Sequence, residues 1–125
     1  MSRFLADSGI WIDHLRRGDP DLQHSLASEG LLGHPLVTGE IAMGSLADRA
    51  GFLQWLRRLP QATRADDDEV MGLVERRGLF SRGLGFLDAH LLASTLLTPE
   101  ARLWTRDRRL SEAAAELGVA GEPAE

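Results

Sequence analysis

Four acids stand where the surrounding residues do not call for one: Asp7, Glu40, Asp88 and Asp107. Asp7 closes the apolar run Phe4-Leu5-Ala6, and Asp107 closes Leu103-Trp104-Thr105 amid Arg106, Arg108 and Arg109. Glu40 follows Pro35-Leu36-Val37-Thr38-Gly39. Asp88 falls between Leu91 and Leu92 on a 3.6-residue wheel, within a segment apolar nearly all round. Each has an ordinary explanation. Asp7 and Asp107 suit helix N-caps, and Glu40 suits the positive end of a helix dipole. Asp88 could pair with a buried arginine or lie in a polar slot, since a carboxylate among leucines is otherwise costly. The chemical reading gathers all four in one crevice. Clustered carboxylates repel strongly at low local dielectric and are tolerable only around a cation. With no cysteine available and no histidine required, an all-oxygen site favours a hard divalent ion, Mg²⁺ or Mn²⁺, over zinc.

The elements that must position these acids read as short strands alternating with helices. Strands are expected at 3–6, across Leu31-Leu32-Gly33-His34-Pro35-Leu36-Val37-Thr38, and at 102–105. "PQATRA" reads as a further short strand and Val119-Ala120 as a last one. A helix follows Asp7. The next opens with Asp19 as N-cap and Pro20 at its first position, and stops before Gly30. Thr38 is expected to cap "GEIAMGSLA". "ADRAGFLQWLRRL" should form a helix ending at Pro60, and Asp66-Asp67-Asp68 should open another. "GFLDAHLLASTLLT" and "RRLSEAAAEL" complete the set. The alternation predicts an α/β domain of three layers, a short central parallel sheet flanked by helices on both faces. Ligands of such sheets gather at the carboxyl ends of the strands, where Asp7 and Asp107 fall. A single domain is expected over 1–120, with "GEPAE" at 121–125 as a flexible tail.

Composition narrows the field. A chain of 125 residues, 43% hydrophobic, suits one domain that buries roughly two-thirds of its unfolded surface. The absence of cysteine removes disulfides and thiolate metal sites, and a cytoplasmic location is expected. The N-terminus, with acids at Asp7 and Asp13, does not read as a signal peptide, and no apolar run reaches the length of a membrane span. All cationic residues are arginine, a bias of high-GC coding that hints at a bacterial source. The net charge of -5 argues against non-specific nucleic-acid binding, so any such role needs a local basic patch.

Four blocks in order, "LADSGIWIDHLR", "LVTGEIAMG", "RGLGFLDAHLLAS" and "LWTRDRRL", resemble those of PIN-domain nucleases, specifically the VapC-type toxins of bacterial toxin–antitoxin pairs. The resemblance spans nearly the whole chain. It implies a PIN-like fold and a Mg²⁺- or Mn²⁺-dependent endoribonuclease, cutting RNA phosphodiesters with metal-activated water. It further implies a cognate VapB-type antitoxin and a homodimer. Asp7, Glu40 and Asp88 match the family's main metal acids, and Asp107 its more variable fourth. One departure shows: Asp7-Ser8-Gly9 stands where the family has Asp-Thr-Ser, so only Ser8 keeps a hydroxyl. The alternative is a non-catalytic PIN-like module that binds antitoxin or RNA.

Other residues have lesser expectations. Thr105 lies two residues before Asp107 and could orient that acid or a metal-bound water. Arg76, Arg77 and Arg82 precede the Asp88 helix, and Arg106, Arg108 and Arg109 surround Asp107. They are either solvated surface charge or a phosphate-positioning rim. Strand alternation predicts that Arg106 and Arg108 point away from the crevice. His14, His24, His34 and His90 share no ligand spacing and read as bystanders, and Trp11 and Trp55 as core or dimer contacts.

Overall fold

Strand β1 (Arg3–Ala6) becomes steadily more buried along its length, because it is the middle of a three-stranded sheet. The structure is a computed structural model that describes residues 2–123. β2 (Leu31–Leu32) pairs with one edge of β1 in register Phe4↔Leu31 and Leu5↔Leu32. β3 (Ala101–Trp104) pairs with the other, from Arg3↔Ala101 to Ala6↔Trp104, and both ladders are parallel. The order is therefore β2-β1-β3. The chain leaves β1 towards β2 on one side and later returns to the other. The switch point lies between β1 and β3, the place where an open parallel sheet leaves a crevice.

Seven helices cover this sheet among the described residues, giving the expected three-layer, PIN-like α/β arrangement. α1 (Ser8–Arg17) starts at the Asp7 cap and stops at Gly18, whose φ of 74° is glycine territory. α2 (Pro20–Ala27) opens on Asp19 and Pro20, as the sequence indicates. α4 (Arg49–Arg58) ends just before Pro60. α5 (Asp67–Arg77) is opened by a reciprocal capping box between Asp66 and Glu69. α6 (Phe86–Leu97) packs on β3 and α5, and α7 (Arg108–Glu116) packs on β3. Ala89 to Thr95 of α6 are all buried, which is why that segment is apolar on every side. Trp11 lies in the core, and Phe52 and Trp55 of α4 pack against it.

Five expectations about the elements are corrected by the structure. The strand expected across "LLGHPLVT" stops at Leu32, and α3 (Pro35–Ala42) takes the remainder. The reason is local: His34 Nδ1 accepts from Leu36 N at 3.0 Å, capping a helix with Pro35 at its first position. Thr38 is therefore a buried residue inside α3 and not a cap, and Glu40 lies past the first turn. "PQATRA" contributes only the isolated bridge Gly33↔Gln61, and Val119-Ala120 only Leu103↔Ala120. Of the expected tail, 124 and 125 lie outside the described residues, while Gly121 N donates to Leu103 O at 3.2 Å.

His34 gives the fold a pH dependence. It is fully buried, and because Nδ1 accepts the Leu36 amide, the proton sits on Nε2 and donates to Ser94 Oγ at 2.8 Å. Burial first, then the nearby Arg64 charge, lowers its pKa from 6.5 to about 4. The unfolded chain thus takes up this proton before the folded one does. Stability is complete above the ordinary histidine pKa and declines as pH falls towards the depressed value. Urea unfolding at pH 7.5 and 4.5 should lose about 2–3 kcal/mol from this group alone. A His34→Gln variant should be less stable at pH 7.5 yet lack that share of the pH dependence. Identical pH dependence in both proteins would remove His34 as the cause.

Candidate active site

One step beyond the last paired residues, Ala6 and Trp104, the chain places Asp7 and Thr105 side by side. Asp7 N donates to Trp104 O at 3.1 Å, extending the ladder to the edge of the crevice. Asp7 Oδ1 accepts the Ile10 amide at 3.1 Å, the cap of α1, and Oδ2 accepts the Thr105 hydroxyl. Thr105 Oγ1 in turn accepts the Asp107 amide at 3.0 Å, so one hydroxyl ties both strand ends together. Asp107 Oδ1 caps α7, accepting from Arg109 N at 3.0 Å and Leu110 N at 3.1 Å. Asp88 arrives from α6 and reaches back with Oδ2 to Gly85 N at 2.9 Å.

These three carboxylates line one cleft of about 350 Å³, with Ser8, Gly9, Asp13 and Arg106 also in its wall. Ile12, Leu87 and Leu91 supply its apolar surface. Asp7 reports the electrostatics. Burial pushes its pKa up, the Thr105 and Ile10 hydrogen bonds pull it down, and the charges of Asp107 and Asp88 push it up again, for a net rise. The caps proposed by residue type are therefore real, and the three acids also share one crevice. Each of Asp88 and Asp107 commits one oxygen to the backbone and leaves the other free of protein partners among the described residues.

Glu40 is not among the residues that line this cleft. It is exposed on α3, and its carboxylate has no partner among the described residues. As the side chains stand, no three His, Asp or Glu among the described residues form a metal-holding group. Ser8 begins α1 and lines the cleft. At Gly9 an added Cβ would meet Asp7 Oδ1 at 3.4 Å, so the missing hydroxyl leaves the space beside Asp7 open.

The arginines divide. Arg106 does not point away from the crevice, as strand alternation predicts, but lines it. The physical reason is that β3 ends at Trp104, so alternation no longer governs residues 105–107. Its Nη1 donates to Asp13 Oδ2 at 2.8 Å and its Nη2 to the buried Asp19. Burial works against the Asp19 charge, but the Arg106 hydrogen bond prevails and holds its carboxyl below the usual range. Arg108 lies outside the cleft wall, exposed and paired with Glu112 at 3.1 Å, as surface charge. Arg82 pairs with Glu116. Sequence reading missed Asp13 as a cleft residue. Its signal was helical spacing, since Gly9, Ile12 and Asp13 fall on one face of α1.

A parallel sheet whose switch point gathers acids from two strand ends and one helix defines a PIN-like α/β domain. Two curated relatives, both named Ribonuclease VapC32, come from the CDC 1551 / Oshkosh and ATCC 25618 / H37Rv strains of Mycobacterium tuberculosis. Each is 48% identical over 116 residues, covering 93% of this chain and 94% of the relative. No protein-family model matches the chain. At that identity and coverage, the chain belongs to the VapC ribonuclease family.

Proposed function

We propose that the chain is a Mg²⁺- or Mn²⁺-dependent endoribonuclease, the toxin of a toxin–antitoxin pair. It works as a homodimer and is restrained by a VapB-type antitoxin. The observation that carries the chemistry is the convergence of Asp7, Asp88 and Asp107 on one cleft, with the Asp7 pKa raised by burial and like charge. RNA as substrate comes from the relatives, which are named ribonucleases. No helix among the described residues is long and apolar enough to cross a membrane.

The donor set fits a hard cation. It offers carboxylate oxygens alone, and like charges so placed gain from a cation between them. Asp7, Asp88 and Asp107 would hold the ion, with Glu40 as a further acid that the resemblance assigns. Bound there, a divalent ion lowers the pKa of a coordinated water and offsets charge on the phosphate under attack. The chain's own residues do the rest. Thr105 keeps Asp7 aimed by donating to Oδ2. The walls formed by Ile12, Leu87 and Leu91 displace water and so strengthen the local electrostatics. A serine-nucleophile mechanism has no support, because the Ser8 hydroxyl has no hydrogen-bonded base among the described residues.

The caps made by Asp7, Asp88 and Asp107 also favour one other reading, in which these acids only terminate helices and the chain is a non-catalytic binding module. Incubating a mixed RNA pool with the protein, with and without EDTA, separates the two. Cleavage should require added Mg²⁺ or Mn²⁺ and stop in chelator. Cutting that persists undiminished in excess EDTA overturns the metal mechanism, and no cutting under any condition favours the binding module.

A further inference from the structure

Among the residues lining the cleft, Arg106 is the single cation, facing Asp7, Asp13, Asp88 and Asp107. An acidic crevice that receives a polyanion needs a cation to meet the phosphates beside the one being cut. We propose that Arg106 is the phosphate-contacting residue of this cleft, and that Asp13 is the counter-charge which RNA displaces from it. This rests on the ribonuclease reading above.

The two ion pairs of Arg106 differ in kind. Asp19 has a side chain only 8% exposed, and its other oxygen caps α2 through Asp21 N and Leu22 N. Stripping Arg106 from that buried carboxylate would leave an uncompensated charge, so this bond stays made. Asp13 has a side chain 30% exposed and opens onto the cleft, and it also lies 3.6 Å from Arg17. A solvent-exposed ion pair of this sort contributes little and is readily exchanged. One edge of the guanidinium is therefore anchored, while the other can trade a carboxylate for a phosphate oxygen. Two of its five donors are engaged, and the remaining ones are available for a bidentate phosphate contact. The anchor removes much of the entropy cost of fixing a long side chain. Neither Arg108 nor Arg82 can substitute, since neither lines the cleft.

The test is binding of a labelled single-stranded RNA oligonucleotide by fluorescence anisotropy in EDTA, over a range of salt, with RNA integrity checked on a gel. Asp13→Asn should tighten binding about two- to fivefold, the weight of one exposed ion pair. Arg106→Gln, which can still donate to Asp19, should weaken it about tenfold. It should also reduce the log–log salt slope by about 0.7, one phosphate contact on a single strand. Should Arg106→Gln fail to fold, Asp13→Asn decides alone. RNA binding by Arg106→Gln or by Asp13→Asn that matches the unaltered protein in affinity and slope overturns the paired roles proposed for Arg106 and Asp13 and leaves the ribonuclease reading intact. No RNA binding by the unaltered protein in EDTA, beside cleavage that appears once Mg²⁺ is added, overturns the role of Arg106 and leaves the ribonuclease reading intact; neither binding nor cleavage overturns both.

Discussion

Replacing Asp7 by Asn should reduce RNA cleavage about a hundredfold or more while leaving the metal-free protein at least as stable as before. The activity loss follows from removing one carboxylate of a site whose charge stabilisation is worth several kcal/mol. The stability result runs against what a lost acid cap would do. Asn serves as an N-cap as well as Asp, so the Ile10 amide keeps its acceptor. The raised pKa of Asp7 means that the folded protein holds this proton more tightly than the unfolded chain. Without metal, stability is therefore lost as pH rises through that pKa, and the neutral amide escapes the loss. Thermal melts in EDTA at pH 7 should give a midpoint equal or higher. A drop of several degrees would show that Asp7 acts as a charged structural cap.

Thr105→Val should lower activity about 10- to 100-fold, the usual effect of removing an outer partner of a metal ligand. The valine keeps the β-branched shape but removes the hydroxyl that donates to Asp7 and accepts from the Asp107 amide. That hydrogen bond is the largest influence lowering the Asp7 pKa, so its loss raises the pKa further. The acid limb of the pH–rate profile should move to higher pH, and more Mg²⁺ should be needed for half-maximal rate. Thr105→Ser should restore both. If Thr105→Val changes only the melting temperature, the hydroxyl merely joins the ends of β1 and β3.

Much of this was legible from local pattern. The ends of β1 and β3 were marked by acids after short apolar runs, and the helix signals at Asp19-Pro20 and Asp66 held because capping is decided within four residues. The same locality explains how Asp7 and Asp107 were placed at one crevice: two parallel strands in register must end together. What failed was also physical. An apolar stretch such as Leu36-Val37 fits a strand or a buried helix equally, and the histidine cap that settles it is uncommon enough to pass unread. The pattern therefore puts Glu40 in a first turn, whereas the helix begins five residues earlier, at Pro35. Strand alternation misplaces Arg106 because β3 ends at Trp104, two residues before it. Its partners Asp13 and Asp19 lie 93 and 87 residues away in sequence, beyond the reach of any local pattern.

The central claim is that Asp7, Asp88 and Asp107 form a divalent-cation site, and direct titration with Mn²⁺ tests it without RNA. Loss of the free-ion electron paramagnetic resonance signal counts bound metal on the unaltered protein, Asp88→Asn and Asp7→Asn. The unaltered protein should take up Mn²⁺ saturably, Mg²⁺ should compete it off, and each substitution should weaken binding about tenfold or more, at least about 1.4 kcal/mol. Saturable binding of equal affinity in all three proteins, or none in the unaltered one, would contradict the site.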